Sequence, residues 1–155
     1  MVCAYRSVVF NGELRDENGM EIISRLVLLA AEDPHSDIHL WVNSPGGSVP
    51  MMHAIADMIE TLPNGVVTVA FGWAASAGQF VLMMGTPGSR LALPHARILL
   101  HRGSSGIGGV AADIKVQSGT CATFGTRFCI ASPTHRPICA AESGRHEPVH
   151  DSECR

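Results

Sequence analysis

Three short segments carry residue types suited to acyl transfer, and they occur in order along the chain. They are Asn43-Ser44-Pro45-Gly46-Gly47-Ser48, Gly72-Trp73-Ala74-Ala75-Ser76-Ala77-Gly78 and Ile98-Leu99-Leu100-His101. Each follows a strand-like apolar run. Paired glycines bare their backbone N–H groups because no Cβ shields them. A serine at the start of a helix has further unpaired N–H groups beside it, and those favour a developing oxyanion. An imidazole at the end of a strand is placed to take a proton. Together these supply a nucleophile, a general base and an oxyanion site, three parts of covalent acyl transfer to water. The spacing reveals no carboxylate to orient the imidazole.

Taken singly, each segment also has a plainer reading. Gly46-Gly47 suits a strand-to-helix turn that needs positive φ, and Ser76 suits a tightly packed turn of small residues. A lone His101 suits a structural hydrogen bond. Ser44, Ser48, Ser104 and Ser105 compete with Ser76 as nucleophile, and His95 competes with His101 from the wrong side of the strand. The residues alone leave these alternatives open.

The elements that must position the segments follow from periodicity. Val8-Val9-Phe10 reads as a strand closed by the turn pair Asn11-Gly12. Asp16 is expected to cap a helix whose apolar stripe is Met20, Ile23, Val27 and Ala30, widened by Ile22, Leu26 and Leu29. Ile38, Leu40 and Val42 alternate with His39 and Trp41, a strand with one face in the core. Ser48 caps a second helix with Met51, Ala54, Ile55, Met58, Ile59 and Leu62 inward, ended by Pro63-Asn64-Gly65. Val66 to Phe71 is a buried strand, a buried helix starts near Ser76, and Arg97 to Leu100 is a short strand. Gly103 to Gly109 is a glycine- and serine-rich loop. Alternating strands and helices in this rhythm predict an α/β fold with parallel strands.

The chain has 155 residues, enough for one domain with a real core. Its hydrophobic content of 46% leaves apolar surface that is expected to lie in a subunit interface. A net charge of -3 gives no basis for a nucleic-acid or anionic-membrane partner. No apolar run reaches the roughly 18 residues of a membrane span, and the first residues lack the pattern of a signal peptide. A cytoplasmic location is expected. Of the 5 cysteines, Cys121, Cys129, Cys139 and Cys154 all follow Thr120. No Cys-x-x-Cys pair accompanies His135, His146 and His150, so ordinary thiols rather than a metal site are expected.

Residues Val8 to about Ser118 closely resemble the proteolytic subunit of the Clp protease, serine peptidase family S14. The resemblance runs through Arg15-Asp16-Glu17-Asn18, Leu28 to Pro34, Val42 to Ser48, Gly72 to Ser76, Gly85-Thr86-Pro87-Gly88 and Leu93 to His101. It implies a crotonase-like stack of ββα units and a serine endopeptidase that cuts unfolded polypeptides to small peptides through an acyl-enzyme. By position Ser76 matches the family nucleophile and His101 its base. The backbone N–H groups of Gly47 and Ala77 match the oxyanion hole. The resemblance further implies a ring oligomer of identical or paralogous subunits, fed by a Clp-family AAA+ unfoldase. That partner uses the ATP, so no cofactor of this chain itself is expected.

Departures from the family pattern cluster late in the chain. His101 is followed by Arg102-Gly103 where the family has Gln-Pro; a cation facing an imidazole lowers its pKa. Pro50-Met51-Met52-His53 replaces a small-residue segment, and the N-terminal axial loops are expected to be reduced. After Asp113-Ile114-Lys115-Val116-Gln117 the family's long handle helix and catalytic aspartate are not recognisable. The expected organisation is therefore a Clp-protease-like domain over 1–118 and a divergent, disordered tail over 119–155, arising from a frameshift after Ser118. Asp151 is the weak candidate for the missing carboxylate. The alternative function is a catalytically silent ring or regulatory subunit, or a remnant. An acyl-CoA enzyme on the related crotonase fold is a third, disfavoured by the ordered serine and histidine segments.

Overall fold

The computed structural model describes residues 6–100 and 139–140. Six strands form one sheet in the order β1 (Ser7–Asn11), β2 (Ile38–Ser44), β3 (Val66–Ala75), β4 (Arg90–Ala92) and β6 (Cys139–Ala140), with β5 (Arg97–Leu99) paired to the far end of β3. Every pairing is parallel. Parallel neighbours need crossovers, and the helices α1 (Asp16–Glu32) and α2 (Val49–Thr61) supply them between β1 and β2 and between β2 and β3. The short α3 (Ala77–Met83) leaves the end of β3. This is the α/β class expected from the alternating pattern.

Strand alternation sends Val8 and Phe10 of β1, Ile38, Leu40 and Val42 of β2 and Val66 and Ala70 of β3 to one buried face. Helical residues Leu26, Ile55, Val81 and Leu82 are equally buried. Burying each of the Val, Leu, Ile and Phe side chains contributes about 1.5–3 kcal/mol. Thr68 stands among these apolar neighbours with no exposure, and its hydroxyl donates to the Leu82 carbonyl of α3 at 2.7 Å. That bond satisfies a polar group that would otherwise be costly inside the core.

Two expectations for α1 are corrected. Its buried stripe is Gly19, Ile22, Leu26 and Ala30, whereas Met20 and Val27 are exposed. Gly19, Ile22, Leu26 and Ala30 recur at steps of three and four residues and so share one helix face, and packing selects that face over the one through Met20 and Val27. Asp16 is the first helical residue rather than the cap, and the Arg15 N–H is closed by the Asn18 side chain at 2.8 Å. A carboxylate within the first turn suits the helix dipole instead. The cap of α2 is Ser48 as expected, its hydroxyl accepting from the Met51 N–H at 3.4 Å.

Strand β3 runs past the expected end at Phe71 and continues to Ala75. It does so through a bulge. Val42 pairs with Ala70, yet Ser44 pairs with Ala74, so the single residue Asn43 stands opposite Phe71, Gly72 and Trp73. Gly72 takes φ +82° there, a conformation open to glycine and rare for other residues. Strand β4 had no sequence signal: it is short, and its first residue Arg90 is buried with its Nε donating to the Gly85 carbonyl at 2.7 Å.

Candidate active site

Ser76 stands where β3 ends and α3 begins, with φ +53° and ψ −120°. Among the described residues it alone, apart from glycines, has positive φ. A side chain held there costs of order 1–3 kcal/mol, and such strain persists only where the surroundings enforce it. The enforcement is visible. On one side the Ser76 N–H donates to the Leu99 carbonyl of β5 at 3.3 Å, and on the other its carbonyl accepts from Phe80 at 3.0 Å to start α3. The strained turn projects a half-buried hydroxyl that makes no hydrogen bond to any described residue. That is how a nucleophile is presented at a strand-to-helix elbow.

The double glycine lies directly against this turn. A Cβ at Gly46 would come within 2.6 Å of the Ser76 Cβ and 3.1 Å of its Oγ, so only glycine fits. A Cβ at Gly47 would strike the Leu14 carbonyl oxygen at 2.2 Å. Leu14 also holds the glycines in place. Its N–H donates to the Gly46 carbonyl at 2.7 Å, and its carbonyl accepts from Ser48 at 2.9 Å. Alternation along the backbone turns the intervening Gly47 N–H away from that bridge, and no described residue accepts from it. On the serine's other flank, Ala77 is the first residue of α3, where N–H groups have no intrahelical acceptor.

The competing serines separate by their bonds. Ser44 is fully buried and its Oγ accepts from the Gly46 N–H at 3.1 Å, closing the turn. Ser48 is occupied as the α2 cap and also reaches Asp16 Oδ1 at 3.4 Å. His95 is exposed and precedes β5, whereas Leu99 at the other end of β5 is the residue bonded to Ser76. His95 lies in the turn before β5, with all of Arg97–Leu99 between it and the end that meets Ser76. His101, Ser104, Ser105 and Asp151 lie outside the described residues, as do the glycine-rich loop and the tail except Cys139–Ala140. Among the described residues, no group of three or more His, Cys, Asp or Glu side chains is placed to hold a metal ion. No described helix is long and apolar enough to cross a membrane.

Two contributors to the site carried weaker signals. Gly46 reads as a turn glycine, and its contact with Ser76 emerges only from the fold. Asn43 reads as part of a turn motif, yet its side chain bonds across to β3: Oδ1 accepts from the Trp73 N–H at 2.9 Å.

The site is thus a strained serine elbow at the end of a strand of a parallel α/β sheet, packed against a double glycine. The family model for the Clp protease matches residues 1–134, and the chain belongs to that family. It is 49% identical over 113 residues to the ATP-dependent Clp protease proteolytic subunit 2 of Cutibacterium acnes, covering 73% of this chain and 53% of that protein. It is 50% identical to proteolytic subunit 1 of Leifsonia xyli subsp. xyli, covering 73% of this chain and 57% of that one. With proteolytic subunit 3 of Rhodococcus jostii the identity is 51%, over 73% of this chain and 56% of the relative. The chain thus spans little more than half the length of the curated relatives it matches.

Proposed function

We propose that this chain is a serine endopeptidase subunit of an ATP-dependent Clp protease, with Ser76 as its nucleophile. The observation that carries the reading is the strained elbow, whose hydroxyl has no hydrogen-bond partner among the described residues and lies against a glycine turn that tolerates no side chain. His101 acts as general base; it follows Leu100 in sequence, and Leu99 is the residue hydrogen-bonded to Ser76. In this scheme the imidazole takes the Ser76 proton as Oγ attacks the peptide carbonyl. The N–H groups of Gly47 and Ala77 receive the oxyanion, a contribution worth about 100- to 1,000-fold per donor in such sites. The imidazolium then protonates the leaving amine, and water releases the acyl group with His101 again as base.

The same reading makes the substrates unfolded polypeptides, delivered by a Clp-family AAA+ unfoldase that spends the ATP. The subunits assemble into a ring of identical or paralogous copies in the cytoplasm. Asp151 is the candidate for the residue that orients His101. The experiment is hydrolysis of a short fluorogenic peptide by this chain, alone and mixed with a full-length relative. Turnover lost on Ser76→Ala supports the peptidase. A preparation whose turnover is unchanged by Ser76→Ala contradicts it, and silence in both preparations favours a non-catalytic ring subunit.

A further inference from the structure

We propose that Asn43 is a positioning residue for the serine elbow: its side chain sets the β2–β3 register that brings Ser76 beside the double glycine. The proposal rests on Ser76 as the nucleophile only for its activity readout. Before the bulge, Val42 pairs with Ala70; after it, Ser44 pairs with Ala74. Had the first register continued, Ser44 would face Gly72 and Gly46 would face Ala74, placing Ser76 level with Ser48. The bulge therefore shifts Ser76 along the strand by two residues, roughly 6.6 Å at the usual rise per residue. An acyl-transfer site fails at a small fraction of that displacement.

A bulge this wide leaves ladder groups unpaired, and the Asn43 side chain fills the gap. Its Oδ1 takes the Trp73 N–H at 2.9 Å, acting in place of a β2 carbonyl. Its Nδ2 donates to the Asn11 Oδ1 at 2.8 Å, and Asn11 is its register partner at the end of β1. The Asn43 main chain is also fixed, with its carbonyl accepting from the Gly12 N–H at 2.8 Å. Gly72 completes the fit, since a Cβ there would lie 2.7 Å from Asn43 Oδ1. A relay from Asn11 through Asn43 to Trp73 thus spans three strands and locks the bulge immediately upstream of the elbow. Asn43 touches no reacting atom; it acts through the position of Ser76.

The test uses the full chain and two variants. Asn43→Leu removes both bonds at similar size. Asn43→Asp keeps an acceptor for Trp73 and accepts from Asn11 once that amide rotates. Hydrogen exchange resolved to single amides is the readout independent of activity. Asn43→Leu should speed exchange about 10-fold at both Trp73 and Ser76, with Val69 upstream of the bulge unchanged, and Asn43→Asp should restore protection. Faster exchange at Trp73 with no change at Ser76 overturns the proposal, as does uniform acceleration along β3. The second readout is the rate of fluorophosphonate labelling at Ser76. It should fall about 100-fold in Asn43→Leu and recover in Asn43→Asp. Absent labelling in the unaltered chain counts against the nucleophile, and the exchange pattern still decides on Asn43.

Discussion

Ser76 occupies a backbone conformation that a glycine would adopt at less cost, so its presence opposes stability. Ser76→Gly should stabilise the fold by about 1 kcal/mol, read as a rise of several degrees in Tm, while abolishing any covalent labelling. An unchanged or lowered Tm would mean the elbow stores no strain. Gly46→Ala acts in the opposite sense. The added Cβ must displace the Ser76 side chain from 2.6 Å contact, on a backbone at φ +113°. Labelling at Ser76 should drop about 100-fold, since displacements near 1 Å suffice for that. The serine and the glycine pair are legible in the sequence as a motif. Their mutual contact is not, because it depends on how two strand ends are brought level.

The elements explain why some of the fold is readable and some is hidden. Alternation in β2 and the Ser48 cap of α2 are local patterns, and both hold; Ser48→Ala should cost about 1 kcal/mol in denaturant unfolding. The extension of β3 through Gly72 is hidden because a glycine ordinarily ends a strand, and its support comes from a residue in another strand. The α1 stripe was ambiguous between two overlapping apolar faces, and packing against the sheet selected the one through Ile22 and Leu26. The end of α1 carries a pH signature. Asp33 is held below the usual carboxylate range, chiefly by the Ser36 hydroxyl and then by the His35 N–H. A depressed folded-state pKa contributes stability above the unfolded value near 3.9 and loses it as pH falls through the folded one. The stability difference between the unaltered chain and Asp33→Asn should therefore be constant above about pH 5 and shrink towards acid. A difference that grows on acidification would reverse that sign.

At the scale of the whole molecule, the apolar residues left on the surface matter most. Met20, Val27 and Leu28 lie exposed on α1, and Trp73, Leu99 and Leu100 lie exposed around the end of β3 and β5. Large apolar side chains left exposed are candidates for cover in an assembly when they adjoin one another. The subunit reading predicts that light scattering finds a mass well above the 16.4 kDa of one chain, alone or with a full-length relative. A monomer in both preparations would separate this chain from ring assembly. The α/β class was legible throughout the described residues because parallel strands and crossover helices leave period and length in the sequence. A single carboxylate that would orient an imidazole leaves no such periodic mark, so the same kind of signal could not reveal one.

Ser76, the strained serine, is the one proposed to react. Peptide mapping after treatment with a fluorophosphonate measures this directly. One adduct per chain is expected, on Ser76, lost in Ser76→Ala and sparing Ser44 and Ser48, whose hydroxyls serve the turn and the helix cap. An adduct on another serine, or none on a folded and assembled preparation, would contradict it.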